Sequence, residues 1–442
     1  MELELMGAVE VAQKIRDGLI SSEDLVRACL AQIDRLEKQV GAWTFIDPDL
    51  AVQQAKDADS AIQRGLRLGP LHGVPVGIKD IIDTKDMPTE DGTVLHKGRR
   101  PQDDATVVSK LREAGAVIMG KTVTTELAVF SPGKTKNPHD LTRTPGGSSS
   151  GSAAAVAAGM IPLALGTQTN GSVIRPASFC GVYGYKPTFG LVSRHLVLQQ
   201  SRPLDQVGVY ARSIEDVALV AESIIGYDSL DPDTRLQAKP ELLLTQAQPP
   251  PLDPFLAFVK SPVWNQAEED TKTAFSELVS ALGECAESCD LHELIDDVHD
   301  LHRIVMEADL ARSFEREYVD GKKQLSDILR EMIERGQTVT AVDYNNSITR
   351  MKEFYHLFDK LFEEHDAIIT PATTGEAPVG LGSTGSPAFC TIWTYFGMPA
   401  IALPLLQGEQ GMPIGVQLVG PRGDDARLLR TARWLVNTMA GL

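Results

Sequence analysis

Two kinds of hydrophobic pattern alternate along this 442-residue chain. Apolar residues spaced three or four apart, as on one face of a helix, occur over residues 9–36 and 51–64. The first run predicts two helices, because Ser-Ser-Glu-Asp at residues 21–24 supplies capping hydroxyls and first-turn acids between them. Further helices are predicted over residues 104–114, 153–159, 214–225, 267–285, 293–317, 344–364 and 424–439.

Short apolar runs bounded by Gly and Pro separate these helices and predict buried strands. One of them, residues 74–78, would deliver Lys79 at its end. The others lie over residues 116–120, 160–165, 207–213, 256–260, 367–371, 400–403 and 414–419. Strands that alternate with helices indicate an α/β layer architecture. Residues 226–254 have a loop-like composition, but strand-like runs on both sides make this an internal excursion.

The charge balance narrows the range of partners. Lys and Arg total 42 residues against 60 Asp and Glu, which gives a formal net charge of −18 at pH 7. A surface this acidic repels nucleic-acid phosphates, and the chain has no basic block larger than pairs such as residues 99–100 and 322–323. We therefore expect no nucleic-acid partner.

Cysteine usage and hydropathy indicate the compartment. The five cysteines are scattered and odd in number, which fits a reducing compartment better than a disulfide framework. Cys285 and Cys289 lie four apart with no second pair, so this spacing predicts no metal site. Residues 1–18 lack a secretory hydrophobic core, and the most apolar stretch, residues 153–165, is too short and broken to span a bilayer. We expect a cytoplasmic protein without a membrane contact.

A Gly/Ser-rich segment over residues 144–152 carries the first candidate chemistry. By composition it could be a flexible linker, but an Ala-rich apolar run follows it at once. It also contains the pattern Gly-x-Ser-x-Gly, which would make Ser149 the nucleophile of a strand–turn–helix elbow. The preceding residues 139–145 are mostly polar and end in proline, so the strand that an elbow requires is missing.

A second Gly-containing turn, residues 166–172, follows the apolar run 160–165 and ends at Ser172. A strand that ends in such a turn can direct consecutive backbone N–H groups at one point, as an oxyanion hole does. A serine at its end could attack a carbonyl held there. An ordinary tight turn capped by a hydroxyl explains the same residues.

Taken together, these segments resemble the amidase signature family in order and spacing. The resemblance rests on residues 73–80 around Lys79, the Gly/Ser-rich residues 146–155 and Thr-Asn-Gly-Ser at 169–172. Supporting matches are residues 184–188, 366–371, 397–400 and 411–418. The family implies one α/β domain over residues 1–442, a large mixed sheet flanked by helices. Within it we expect N-terminal helices over about 5–65, a catalytic core over about 66–225, a helical excursion over about 226–365 and C-terminal core elements over about 366–442.

The resemblance implies a catalytic triad of Ser172, Ser148 and Lys79. A serine hydroxyl needs a base to become nucleophilic, and lysine serves as one only when burial or neighbouring dipoles lower its pKa. Ser148 can relay the proton, because a hydroxyl both donates and accepts. The family's oxyanion hole corresponds to the backbone N–H groups of Thr169, Asn170, Gly171 and Ser172, and Ser149 is a candidate substrate-binding residue.

The chain departs from the common family pattern at three positions. Gln168 stands where Asp is usual and Asn170 where Gly is usual; members that resemble hydrolases of small urea-like substrates carry the same Asn. Arg175 lies three residues after the nucleophile position rather than two. That arrangement resembles malonamidase, in which the arginine binds a substrate carboxylate. A structural arginine paired with an acid is the alternative.

The resulting expectation is a serine amidohydrolase that works through an acyl-enzyme on a small, possibly carboxylated amide. Alternatives are the component of the tRNA-dependent amidotransferase that acts on glutamine, a hydrolase of urea-type (biuret-like) substrates and a catalytically silent binding protein. A metal-dependent hydrolase would need His299 and His302, but these lie beside Asp296, Asp297 and Asp300 in a segment that favours a solvated face. We expect no cofactor and no metal, with a homodimer as one allowed assembly.

Overall fold

The computed structural model describes residues 2–291 and 295–441, with backbone only at residue 354. Its centre is an eleven-stranded mixed sheet in the order β1-β3-β2-β4-β6-β5-β10-β11-β9-β7-β8. The strands are β1 Trp43–Ile46, β2 Pro75–Lys79, β3 Val117–Thr122, β4 Leu163–Gln168, β5 Tyr183–Lys186, β6 Gln206–Ala211, β7 Leu256–Val259, β8 Ala286–Cys289, β9 Ala367–Pro371, β10 Ala400–Gln407 and β11 Pro413–Val419. The predicted α/β architecture is confirmed.

Two parallel trios of strands lie within this sheet. Strand β2 pairs in parallel with β3 and β4, and β7 pairs in parallel with β8 and β9, whereas the other neighbours are antiparallel. Every residue of β2, β3, β4 and β9 is buried. Strands covered on both faces are continuously apolar rather than alternating, which is the pattern that their sequences show.

Sixteen α-helices of the described residues surround the sheet. They are α1 Ala8–Arg16, α2 Ser22–Val40, α3 Pro48–Gln63, α4 Thr106–Glu113, α5 Ser150–Ala157, α6 Ile174–Cys180, α7 Ile214–Ile224, α8 Leu242–Gln246, α9 Glu269–Leu282, α10 Val298–Ser313, α11 Glu315–Gly321, α12 Asp327–Gly336, α13 Ala341–Glu353, α14 Asp359–Glu364, α15 Ala388–Tyr395 and α16 Asp425–Ala440. Helices α5, α6, α7 and α16 pack directly on the strands. None of the described helices is long and apolar enough to cross a membrane.

Most predicted elements are present, with shifted ends. The Ser21 hydroxyl caps α2 by accepting from the Asp24 N–H, as the capping pattern predicts. The single helix predicted over residues 344–364 is wrong: α13 and α14 are separated by the 3-10 segment Phe354–Phe358. The helix predicted over 293–317 also divides, because Phe314 leaves helical geometry between α10 and α11; its first two residues lie outside the described residues.

Candidate active site

Lys79 occupies the last position of β2, and its side chain is completely buried. Its Nζ donates to Ser148 Oγ at 2.7 Å and to Thr167 Oγ1 at 2.8 Å. Within the described residues no carboxylate lies within 4.0 Å of this amine. Burial lowers the pKa of Lys79 well below its ordinary value, and the Asp205 carboxylate opposes this effect only in part. The amine therefore tends toward its neutral, basic form.

Ser148 lies just before α5, directly after a cis peptide bond from Gly147. Its carbonyl oxygen accepts from the Thr125 N–H at 3.3 Å, which holds the segment against the end of β3. When Lys79 is neutral, the Ser148 hydroxyl can reverse the 2.7 Å hydrogen bond and donate to the lysine lone pair. That direction is the one a proton relay requires.

The turn between β4 and α6 is fixed by Gln168. Its Oε1 accepts from the N–H groups of Val173 at 2.8 Å and Ile174 at 3.0 Å, so it satisfies two donors at the start of α6. Its Nε2 donates to Thr394 Oγ1 at 2.8 Å. An Asp at this position could supply the first two contacts but not the third. Gln168 therefore accepts from the N–H groups at the start of α6 and, in addition, donates a hydrogen bond to α15.

Asn170 is also accommodated without strain. Its φ is not positive, so the turn does not require glycine at this position. Its side-chain oxygen accepts from Thr391 Oγ1 at 2.8 Å, and its carbonyl accepts from Thr394 Oγ1 at 2.5 Å. Among the described residues, none accepts a hydrogen bond from the backbone N–H groups of Asn170, Gly171 or Ser172. Of these three residues, Asn170 and Ser172 line a cavity beside the turn.

Ser172 follows this turn and lines a cavity of about 20 Å³. Its carbonyl accepts from the Tyr210 hydroxyl at 2.9 Å, whereas its own hydroxyl makes no hydrogen bond within the described part of the chain. The cavity is lined by Ala128, Val129, Phe130, Thr169, Asn170, Ser172, Arg175, Gln200, Met306 and Leu310. The cavity is therefore narrow beside Ser172, with the side chains of Met306 and Leu310 on its wall.

Arg175 lies on α6 with only 1% of its surface exposed. Its Nη1 donates to the Gly385 carbonyl at 2.6 Å and its Nη2 to the Gly147 carbonyl at 2.7 Å, while its buried Nε has no partner. In the described part of the chain no carboxylate lies within 4.0 Å of this guanidinium. Burial lowers the pKa of Arg175 to about 10. Its hydrogen-bond partners within the described residues are two backbone carbonyls, and the acid partner that the sequence alternative expected is missing.

Ser149, the other candidate for substrate binding, does not line this cavity. Ser149 is fully buried, and its Oγ exchanges hydrogen bonds of 3.2 Å with the backbone of Thr167. These hydrogen bonds tie the start of α5 to β4. The position of Ser149 therefore gives no contact with a substrate in the cavity. The same burial removes the structural basis for a nucleophile elbow at Ser149.

The segment with His299 and His302 is not the solvated face that its charge suggested. His302 is buried, and its Nε2 bonds the Thr169 carbonyl at 2.9 Å; burial lowers its pKa to about 4. His299 bonds the Ala388 carbonyl at 2.9 Å. The neighbouring Asp296, Asp297 and Asp300 are exposed. His302 therefore faces the turn between β4 and α6, and His299 faces the start of α15. The mixed composition of the segment concealed these contacts.

Asp205 is a buried residue that the sequence did not indicate. Its Oδ1 accepts from Thr169 Oγ1 at 2.6 Å, and its Oδ2 accepts from the N–H groups of Gln200 and Ser201. Burial raises the pKa of Asp205 to about 6. It connects the loop that precedes β6 to the turn between β4 and α6.

Comparison with known proteins now identifies the family. The family model described as Amidase matches residues 24–429. The chain belongs to the amidase signature family. A Mycobacterium tuberculosis protein named as the amidase AmiD is 34% identical to this chain, and the match covers 95% of this chain and 91% of the AmiD sequence. One component of the glutamyl-tRNA(Gln) amidotransferase of Symbiobacterium thermophilum is 33% identical, over 97% of this chain and 96% of its own.

Solved structures show the same family fold. The native peptide amidase from Stenotrophomonas maltophilia has a TM-score of 0.85 and 26% identity, and the match covers 99% of this chain and 97% of that one. A second solved structure has a TM-score of 0.92 and 28% identity, and the match covers 98% of both chains. It belongs to a protein complex described as revealing the evolutionary origins of an s-triazine catabolic enzyme. The chain is accordingly an amidohydrolase, and the expected enzyme class is confirmed.

Proposed function

We propose that this amidohydrolase cleaves small amides that carry a carboxylate near the scissile carbonyl, through an acyl-enzyme on Ser172. The observation that carries the substrate class is Arg175, a buried guanidinium without an acid partner on the wall of the Ser172 cavity. A buried charge is costly unless it is paired. A substrate carboxylate would supply the missing charge, and three of the five guanidinium N–H groups are still available for it.

In the proposed reaction, Ser172 Oγ attacks the amide carbonyl carbon. Its proton passes to Ser148, whose own proton passes to the neutral amine of Lys79. The unpaired N–H groups of Asn170, Gly171 and Ser172 stabilise the oxyanion. When the intermediate collapses, the C–N bond breaks, and the leaving nitrogen takes a proton from Lys79 through Ser148. Water then attacks the acyl-enzyme along the same proton path and releases the acid.

The contacts support Lys79 as the base of this sequence. It is buried, it bonds Ser148 directly, and within the described residues it has no carboxylate partner that would hold it as a cation. The turn that carries Ser172 is fixed by the hydrogen bond from the Tyr210 hydroxyl to the Ser172 carbonyl and by the Gln168 side chain, which accepts from backbone N–H groups. The Ser172 hydroxyl makes no hydrogen bond within the described residues. A serine left without a hydrogen-bond partner next to an apolar cavity wall suits a nucleophile better than a structural role.

The cavity wall supports a small substrate. Met306 and Leu310 of α10 and the segment from Ala128 to Phe130 close over Ser172, so little space surrounds the nucleophile. Glutamine, the substrate expected of the amidotransferase component, separates its carboxylate from the side-chain amide by three carbons. We expect shorter carboxylated amides to be hydrolysed faster than glutamine. We also propose a cytoplasmic location, which the five free cysteines support.

Arg175→Ala tests the substrate class. For malonamate we expect kcat/KM to fall roughly 10- to 100-fold, which corresponds to the loss of one charged hydrogen bond. Arg175 also holds the Gly147 carbonyl, so each loss is compared with that for acetoacetamide, a neutral amide of the same length. The ratio of the two losses removes any shared structural effect. Equal losses for both substrates would show that Arg175 is structural, while leaving the Ser172 chemistry in place.

A further inference from the structure

Three side chains of different metal-binding chemistry meet at one edge of the sheet. Glu287 and Cys289 lie on β8, and His365 lies two residues before β9. His365 Nε2 is 3.0 Å from Glu287 Oε1 and 3.7 Å from Cys289 Sγ, and all three ligand atoms lie within 4.8 Å of one another. No other group of three His, Cys, Asp or Glu residues in the described part of the chain is arranged in this way.

The sheet brings these residues together from distant parts of the chain. Glu287 and Cys289 are two positions apart on one strand, so their side chains point to the same face. Strand β7 lies between β8 and β9, and Phe255, directly before β7, stacks on the His365 imidazole with a centroid distance of 4.7 Å. The stacked ring holds the imidazole in position over the edge strand.

The hydrogen bond on the other side of His365 fixes its tautomer. Nδ1 lies 3.0 Å from the Leu361 carbonyl, which can only accept, so Nδ1 carries the proton. In the neutral imidazole the Nε2 lone pair then points toward Glu287 and Cys289. Metal-binding histidines are typically oriented by such a carbonyl contact at the second ring nitrogen. His365 is 4% exposed, whereas the Glu287 side chain is 56% exposed, so one side of the cluster is open to solvent.

A simple His–Glu ion pair explains only part of this arrangement. It accounts for Glu287 but not for a thiol placed at 3.7 Å from the same nitrogen. Around a tetrahedral zinc ion, bonds of about 2.0–2.3 Å separate an imidazole nitrogen from a thiolate by about 3.6 Å and from a carboxylate by about 3.4 Å. The observed nitrogen–sulfur separation of 3.7 Å matches the first value, whereas the nitrogen–oxygen separation of 3.0 Å would have to lengthen slightly to admit the ion.

We propose that Glu287, Cys289 and His365 form a binding site for a divalent ion of the zinc type, with water as the fourth ligand. Mixed nitrogen, sulfur and oxygen donors favour zinc over magnesium or calcium, which prefer oxygen alone. Binding releases the Cys289 thiol proton to solvent. The site lies outside the Ser172 cavity, so the ion stabilises the edge strand β8 against the segment before β9 and takes no part in amide hydrolysis. Cys285, whose spacing to Cys289 gave no zinc pattern, is not a ligand.

Zinc titration against a chromophoric chelator tests this site in four proteins. The wild type and Cys285→Ser, the matched thiol control from the same segment, should each bind one equivalent. Cys289→Ser and Glu287→Gln should bind more than about 10-fold more weakly, as expected when a metal site loses a direct ligand. With cobalt(II) as probe, thiolate-to-metal absorption should appear in the wild type and Cys285→Ser and be absent from Cys289→Ser.

Thermal unfolding provides an independent measurement. Zinc should raise the Tm of the wild type and Cys285→Ser, because it binds the folded state, and leave that of Cys289→Ser unchanged. Similar apo Tm values would show that both cysteine variants fold. The proposal is overturned if the wild type binds no zinc, if Cys289→Ser binds it as tightly as the wild type, or if the cobalt complex lacks thiolate absorption.

Discussion

Lys79 illustrates how position on a strand determines the chemistry of one side chain. The same residue at a strand end could face solvent, where it would be a cation at neutral pH. Here it is buried between Ser148 and Thr167, and burial lowers the pKa of its amine. The role as base that we propose for Lys79 therefore depends on the sheet that surrounds it rather than on the lysine alone.

The pH dependence of hydrolysis should report the protonation of Lys79. Because only the neutral amine accepts a proton, we expect kcat/KM to rise with pH from the acid side to a plateau. Thr167→Val removes a hydrogen-bond acceptor that stabilises the Lys79 cation, so it should move the rising limb to lower pH and leave the plateau near the wild-type value. A wild-type profile that is flat between about pH 6 and 9 would mean that Lys79 is already neutral over this range or is not the base.

At the scale of elements, the sequence predicted strands well where both faces are buried. Strands β2, β3 and β9 each begin with an apolar run of three or four residues, so their positions were recognisable. Strand β8 was missed because it is an edge strand whose residues Ala-Glu-Ser-Cys are only partly buried. Helix α6 was missed for the opposite reason: all seven of its residues are buried, so no amphipathic spacing exists.

The candidate site was likewise predictable from the sequence only in part. Motifs indicated Lys79, Ser148 and Ser172, because short local patterns carry them. The wall of the cavity could not be predicted, since Met306 and Leu310 lie more than 130 residues beyond Ser172 in the chain and contact the site only through tertiary packing. The charged residues around them pointed to solvent exposure. Only the fold shows that α10 turns its other face inward.

At the scale of the whole molecule, a histidine connects the catalytic core to the helices that follow it. His96 Nδ1 bonds Asp91 at 2.8 Å and His96 Nε2 bonds Glu317 of α11 at 3.0 Å. The Leu127 N–H bonds the Asp91 carbonyl, so the bridge extends to the segment that lines the cavity. Hydrogen bonding to Asp91 raises the pKa of His96 above its ordinary value, with burial opposing.

This bridge predicts a pH-dependent contribution to stability. Since the folded-state pKa of His96 is raised, its contribution is fully present below the unfolded-state pKa and is lost as pH rises through the folded-state pKa. For a partly exposed ion pair of this kind we expect less than about 1 kcal/mol. The Tm difference between the wild type and His96→Gln should therefore be larger at pH 5.5 than at pH 8.5. A difference that grows with pH would contradict the bridge.

The sheet also assembles the proposed catalytic residues from three separate segments. Lys79 ends β2, Ser148 precedes α5, and Ser172 follows β4, the parallel neighbour of β2. Neighbouring parallel strands end at the same edge, so residues 93 positions apart in sequence can act at one carbonyl. The central claim is that the nucleophile of this assembly is Ser172.

Trapping the acyl-enzyme tests that claim most directly. The protein is mixed with a slowly hydrolysed, isotopically labelled amide, quenched in acid, digested and examined by peptide mass spectrometry. We expect the acyl label on Ser172, and no label in Ser172→Ala although that variant remains folded with an unchanged Tm. Label on Ser149 or Ser148 of the wild type, or undiminished turnover in Ser172→Ala, would contradict the account.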